Sequence, residues 1–139
     1  MLCPRSWGPP FLKDAAGHDT TDAAYYLGCN RGKQSVAIDF THSEGRKLVV
    51  DLARQADVLV ENYKVGGLAK YGLDYASLAT DHPRLVYASI TGFGQTGPYA
   101  ARAGYDFIIQ GMSGFMSVTG ERDDLPGGGP QKAGVAITD

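Results

Sequence analysis

The chain has 139 residues, a formal net charge of −2, 43% apolar and 20% charged residues, a balance that suits one globular core. The weak acidic excess, with no basic run and no interleaving of basic and aromatic residues, argues against a nucleic-acid surface. The apolar runs are too short to cross a bilayer as a helix, and residues 1–17 lack the apolar stretch of a signal peptide.

Residues 1–22, with "SWGPPF" and a set of polar turn residues, read as an irregular arm rather than a strand or helix. Tyr25 and Tyr26 are adjacent aromatics that read as neighbours in core packing. "SVAID" (Ser35–Asp39) predicts a short buried strand, and Thr41 with Glu44 has the spacing of a helix capping box. The helix it opens carries Leu48, Val49, Leu52, Ala53 and Ala56 on one face, the face expected to be buried. "DVLV" (Asp57–Val60) predicts a second strand, followed by a short helical stretch around Leu68–Tyr71. Asp74 is placed to cap "YASLA", which stops near His82-Pro83 because the residue before proline avoids the helical region. "RLVYASI" (Arg84–Ile90) predicts a third strand, and strands alternating with helices at this spacing indicate an α/β fold with a parallel sheet. Beyond it lie the glycine loop "TGFGQTGPYAARAG" and a single helix with Tyr105, Ile108, Ile109, Met112, Phe115 and Met116 at helical spacing. Residues 121–132 read as a flexible surface loop.

Ligands of open parallel sheets gather outside the carboxyl ends of the strands. Three such ends are expected along one edge: Asp39–Thr41, "ENY" (Glu61-Asn62-Tyr63), and Thr91-Gly92 with the glycine loop. "ENY" supplies a carboxylate, an amide and an aromatic face, or else Glu61 and Asn62 cap the turn that follows. "TGFGQTGP" has neither the Walker ending nor the GxGxxG spacing, so it reads as backbone pressed against an extended ligand or as a set of turns. Lys70 and Arg31 are placed to meet phosphates or to stay solvated. Cys3 and Cys29 read as free thiols of a reducing compartment. His18, His42 and His82 are assigned to the surface, and no residue set has metal-ligand spacing.

The run "VLVENYKVGGLAKYGLDYASL…PRLVYASITGFGQTGPYAARAGYDFIIQGMSGFMSVTG", with "SWGPPF", "AAYYLGCNRGKQSVAIDF" and "GVAITD", resembles the class III CoA-transferases that act on formyl-CoA, carnitine and succinyl-CoA with dicarboxylates. The resemblance implies an internal fragment of a Rossmann-like large domain that lacks the first strand and the C-terminal parts. It implies that the family chain continues past Asp139, and that this fragment alone is inactive or nearly so. The family's aspartate nucleophile falls on Asp139. Asn62, Tyr63, Lys70 and Tyr71 match positions along CoA, and Ile38 and Thr41 match positions near the adenine, where the family often carries lysine in place of Thr41. Trp7 and Tyr25 match aromatic positions of the acyl pocket, and Tyr105 and Asp106 match the segment facing the thioester. The related α-methylacyl-CoA racemases carry a histidine where Tyr105 stands, so the resemblance favours transfer over racemisation, since a two-base proton shuttle lacks one base here. A third reading is a non-catalytic CoA- or nucleotide-binding remnant. The family pattern further implies acyl-CoA and a small carboxylic acid as substrates, no permanently bound cofactor and an interlocked homodimer for the full-length protein. It also implies no nucleic-acid or membrane partner, and a cytoplasmic location, or an organellar matrix if a targeting segment precedes.

Overall fold

A computed structural model describes residues 5–138. Cys3 and Asp139, both singled out above, lie outside the described residues. The fold is mixed α/β and separates into two compact units, the first ending at Ile38 and the second beginning at Asp39.

In the first unit the expected irregular arm is instead a β-hairpin. Strands β1 (Phe11–Lys13) and β2 (Asp19–Ala23) pair antiparallel, with Phe11 opposite Ala23 and Lys13 opposite Asp19. The reversal is built by Asp14, whose Oδ1 accepts the backbone N–H groups of Ala16 and His18, both at 2.9 Å. Short side chain-to-backbone bonds of this kind are why aspartate favours turns. Lys13 and Asp19, which flank this turn, form an ion pair at 2.6 Å. Helix α1 (Ala24–Asn30) follows directly on β2. Tyr25 is 46% exposed there rather than buried in a core, and Cys29 is an exposed free thiol. The stretch Ser35–Asp39 forms no strand, because no described segment offers it a ladder partner.

The second unit is built on a two-stranded parallel sheet of β3 (Val58–Glu61) and β4 (Val86–Ser89), in the register Val58–Val86 to Glu61–Ser89. Helix α2 (Ser43–Ala53) precedes β3, and a 3₁₀ turn (Ala69–Tyr71) and helix α3 (Tyr75–Ala79) connect β3 to β4. The capping box does not form: the Thr41 hydroxyl donates to Asp39 Oδ1 at 2.7 Å, and His42 occupies the N-cap. Asp74 does stand at the N-cap of α3, where its Oδ1 accepts the Ser77 hydroxyl. Of the apolar stripe on α2, Ala53 is buried, while Leu48 and Leu52 are about half exposed. A sheet only two strands wide cannot cover that face. His82 departs from its surface assignment: its Nε2 is buried and has no hydrogen-bond partner among the described residues.

The predicted helix after the glycine loop is two helices, α4 (Asp106–Met112) and α5 (Phe115–Thr119). Gly114, at φ 77°, breaks them apart in the left-handed region that side chains disfavour. Upstream, Gly92 and Gly104 meet back to back. A β-carbon on either would stand 2.2 Å from the other's Cα, so only glycine lets the chain entering α4 lie against the end of β4. No helix among the described residues is long and apolar enough to cross a membrane.

Gly92→Ala is therefore expected to lower stability by about 1–3 kcal/mol, as overpacking does. Gly28→Ala, in α1 with open space around its missing β-carbon, is expected to raise it by up to about 1 kcal/mol. Urea midpoints of the two variants test this, and a neutral Gly92→Ala would contradict the close approach.

Candidate functional site

The carboxyl ends of β3 and β4 lie side by side, with Glu61 opposite Ser89 and the Ile90 N–H donating to the Glu61 carbonyl at 2.8 Å. Glu61 turns back on its own chain, its Oε2 accepting the Tyr63 N–H at 2.7 Å, which is the turn-capping reading of "ENY". Asn62 is exposed beside it. Phe40 brings this edge together. Its ring meets Tyr63 edge-on at 5.8 Å between centroids and Tyr71 at 5.1 Å, while the Lys70 ammonium sits 4.7 Å above the Tyr71 ring. Edge-on aromatic pairs contribute roughly 0.5–1.5 kcal/mol each beyond burial. Tyr63, Lys70 and Tyr71 thus form one patch around a residue that the sequence reading did not single out. Thr41 closes the turn after Phe40: its N–H and hydroxyl both donate to Asp39, whose pKa they lower, the hydroxyl bond contributing most.

A cleft of about 330 Å³ opens on this edge between Glu61, Asp74, Tyr87, Ser89 and Gln95. The Tyr87 phenol donates to the Leu73 carbonyl at 2.9 Å, and burial, reinforced by Glu61 and Asp74, pushes its pKa up to about 12. The Thr91 hydroxyl, just past β4, is buried without a hydrogen-bond partner among the described residues.

The most connected group lies on α4. Asp106 and Gln110, one helical turn apart, face the same way, and they are 8% and 0% exposed. Against them runs the segment 131–138, irregular and bent at Gly134 and Val135. Asp106 Oδ1 accepts the N–H groups of Ile137 and Thr138 at 2.8 and 2.9 Å and the Thr138 hydroxyl at 3.0 Å. Asp106 Oδ2 accepts from Gln110 Nε2 at 2.5 Å. Gln110 Oε1 accepts the Ala133 N–H at 2.9 Å, and its amide reaches the Val135 carbonyl at 3.4 Å. The segment is also tied at its start, where the Gln131 N–H donates to the Met116 carbonyl at 3.0 Å and the Gln131 carbonyl accepts the Thr119 hydroxyl. The Asp106 carboxylate is thus engaged on Oδ1 by this strap and on Oδ2 by Gln110. Tyr105, next to it, is 67% exposed.

In the first unit Trp7 and Tyr25 face each other with ring centroids 6.1 Å apart and planes 42° apart. Ile38 is half-buried at the end of the same unit. Asp139, the expected nucleophile, follows Thr138 directly in sequence and lies outside the described residues. No group of three or more His, Cys, Asp or Glu residues is placed to hold a metal ion among the described residues. Phe40, Gln110 and Thr138 were missed. The only trace of the last two in the sequence is a polar residue at i+4 from Asp106 and a hydroxyl beside Asp139.

The Asp106 pKa is lowered from 3.8, chiefly by the Thr138 N–H. Partial burial opposes the shift, and Ile137, the Thr138 hydroxyl and Gln110 add to it. A carboxyl whose folded-state pKa is depressed stabilises fully above its unfolded value, and that contribution fades as pH falls through the lowered folded value. Asp106→Asn is thus expected to lower stability at neutral pH and to flatten the acid limb below about pH 4. Denaturation midpoints across pH test this. An acid limb unchanged in the variant would refute the assignment.

The sequence matches CoA-transferase family III over residues 4–139. It is 60% identical over 135 residues to a succinate–glutarate CoA-transferase of Agrobacterium fabrum, covering 97% of this chain and 32% of that one. It is 43% identical over 135 residues to the human succinyl-CoA:glutarate CoA-transferase, covering 97% and 28%. Among solved structures, a CAIB/BAIF family protein from Brucella suis superposes with a TM-score of 0.80 at 58% identity, covering 96% of this chain and 33% of that one. The chain spans about a third of the length of these relatives. With the family pattern extending over nearly every residue, this chain belongs to CoA-transferase family III.

Proposed function

We propose that the protein carrying this chain moves coenzyme A from an acyl-CoA thioester to a dicarboxylic acid, with Asp139 as the nucleophile. The observation that carries this reading is the strap ending at Thr138. It is tied through six backbone and side-chain contacts to two buried polar residues of α4, immediately before the family's aspartate position in sequence. A nucleophile must be held in a near-attack geometry, and rigid attachment of its neighbours is how a chain supplies that.

In this reading an Asp139 carboxylate oxygen attacks the thioester carbonyl, the C–S bond breaks and CoA leaves as a thiolate. The thiolate then attacks the aspartyl carbonyl of the mixed anhydride, releasing the donor acid as its carboxylate and leaving an aspartyl-CoA thioester. The acceptor carboxylate repeats the two steps in reverse and regenerates Asp139. Every intermediate keeps its acyl carbon activated, so thioester free energy is not lost to water, and no net proton moves.

The patch of Tyr63, Lys70 and Tyr71 around Phe40, together with Asn62, is assigned to CoA, as an ammonium and aromatic faces suit a nucleotide. Ile38 and Thr41 are assigned to the adenine, Trp7 and Tyr25 to the acyl group, and Tyr105 to the thioester. The names of the relatives point to succinyl and glutaryl groups as the pair exchanged. The parallel strand pair fits a larger Rossmann-like domain, and a homodimer in the cytoplasm or an organellar matrix completes the reading.

Incubating the whole gene product with succinyl-CoA and hydroxylamine is expected to leave a hydroxamate on Asp139, detected by peptide mass. Asp139→Ala is expected to abolish both label and acyl exchange; exchange that persists in that variant refutes the nucleophile. Phe40→Ala is expected to weaken CoA binding about 2- to 12-fold by calorimetry, an effect the size of one edge-on aromatic contact. Unaltered affinity would remove the patch from the CoA site.

A further inference from the structure

We propose that Gln110 is a positioning residue that sets the register of the strap 131–138, and through it the place of the carboxylate that follows Thr138. The catalytic half of this proposal rests on the function proposed above; the structural half does not.

A helix normally buries an apolar stripe, yet α4 does the reverse. Its buried positions are Asp106 and Gln110, while Tyr105, Phe107, Ile108 and Met112 are at least half exposed. Gln110 is the largest fully buried side chain among the described residues. Burying an amide is unfavourable unless its donors and acceptor are matched, and here they are. The carbonyl takes the Ala133 N–H, and the amino group serves Asp106 Oδ2 and the Val135 carbonyl.

The bonds specify one register. A slip of one residue would put Ile137, and a slip of two Ala136, where Thr138 stands, leaving Asp106 without the hydroxyl that lies 3.0 Å from its Oδ1 and 3.1 Å from its own carbonyl. Either slip would also part the Ala133 N–H from Gln110 Oε1. Gln110 joins the two halves of this device, since among the described residues outside the strap it alone bonds both the strap and Asp106. Polar residues buried at one position are a documented means of choosing register, at some cost in stability. Among the described residues the titratable group bonded to Gln110 is Asp106 on its own helix, and on the strap Lys132, next to Ala133, holds its ammonium 4.9 Å from the Phe107 ring centroid.

Two variants of the whole gene product test the proposal, each read by amide hydrogen exchange at Ala133, by the single-turnover rate of Asp139 labelling, and by CoA affinity. Gln110→Met keeps the volume but has no hydrogen-bonding amide. It is expected to lose protection at Ala133 and to label about 100-fold more slowly, the cost of a reacting group displaced by about 1 Å, with CoA affinity unchanged. Gln110→Glu is expected to be equally slow at neutral pH, where two carboxylates face each other, and to recover on mild acidification. Once protonated, the introduced carboxyl again donates to Asp106 and accepts from Ala133, which a merely space-filling role would not reproduce. Wild-type labelling rates in Gln110→Met, or no acid recovery in Gln110→Glu, would overturn the proposal. A wild-type protein that acquires no label refutes the proposed function instead. The exchange measurement then decides the register by itself, with retained Ala133 protection in Gln110→Met counting against it.

Discussion

The second unit turns on one buried carboxylate. Asp106 accepts hydrogen bonds from two backbone N–H groups, a hydroxyl and an amide, and a charge kept from water is tolerable only when it is satisfied in this way. Because three of those donors belong to residues 137 and 138, the satisfaction of Asp106 and the placement of the strap are one event. Neither can be disturbed without leaving the other's polar groups unmatched, and an unmatched buried polar group costs more than the bond itself contributes.

Within the second unit, the segments before α4 bring Asp106 to that place. The parallel pair β3–β4 sets the sheet edge, and Gly92 and Gly104 bring the chain that enters α4 into backbone contact with the end of β4. Gly114 then ends the helical run, so that α5 offers the Met116 carbonyl and the Thr119 hydroxyl to the beginning of the strap. The strap is held at 131 by α5 and at 133–138 by α4. On the same edge, Phe40 gathers Tyr63 and Tyr71 with two edge-on contacts. The polar clamp and the aromatic patch therefore belong to one scaffold but use different physics, matched hydrogen bonds in one case and ring packing in the other.

Strands of parallel sheets are built to be covered on both faces, and the sequences of β3 and β4 have that character. Val58, Val60 and Val86 are nevertheless 53%, 60% and 60% exposed, and Leu48 and Leu52 of α2 are similarly open. The apolar pattern of these segments asks for more layers than the described residues provide. The same shortage explains why "SVAID", a reasonable strand by composition, has no ladder: a strand exists only with a partner for its N–H and C=O groups.

Local features were legible because they depend on near neighbours in the chain. The apolar runs of β3 and β4, the helical period of α2, Asp74 at the start of α3 and the strand-end position of "ENY" all follow from spacing within a few residues. So does the family pattern, which depends on residue identity along the chain. What spacing could not reveal were the pairings between distant segments. The β1–β2 hairpin was hidden because its strands are short and polar, and the break at Gly114 because glycine also fits a helix at modest cost. The capping box failed because Asp39 competes for the Thr41 hydroxyl. The buried face of α4 was hidden because apolar periodicity carries no signal for a polar pair facing inward. Only the tertiary structure, by laying 131–138 along the helix, supplies the hydrogen-bond partners that make Asp106 and Gln110 the buried pair. Sequence determined which segments would form and which residues carry chemistry; contact between residues some thirty positions apart decided which of them are held, because a buried polar group is stable only beside its partner.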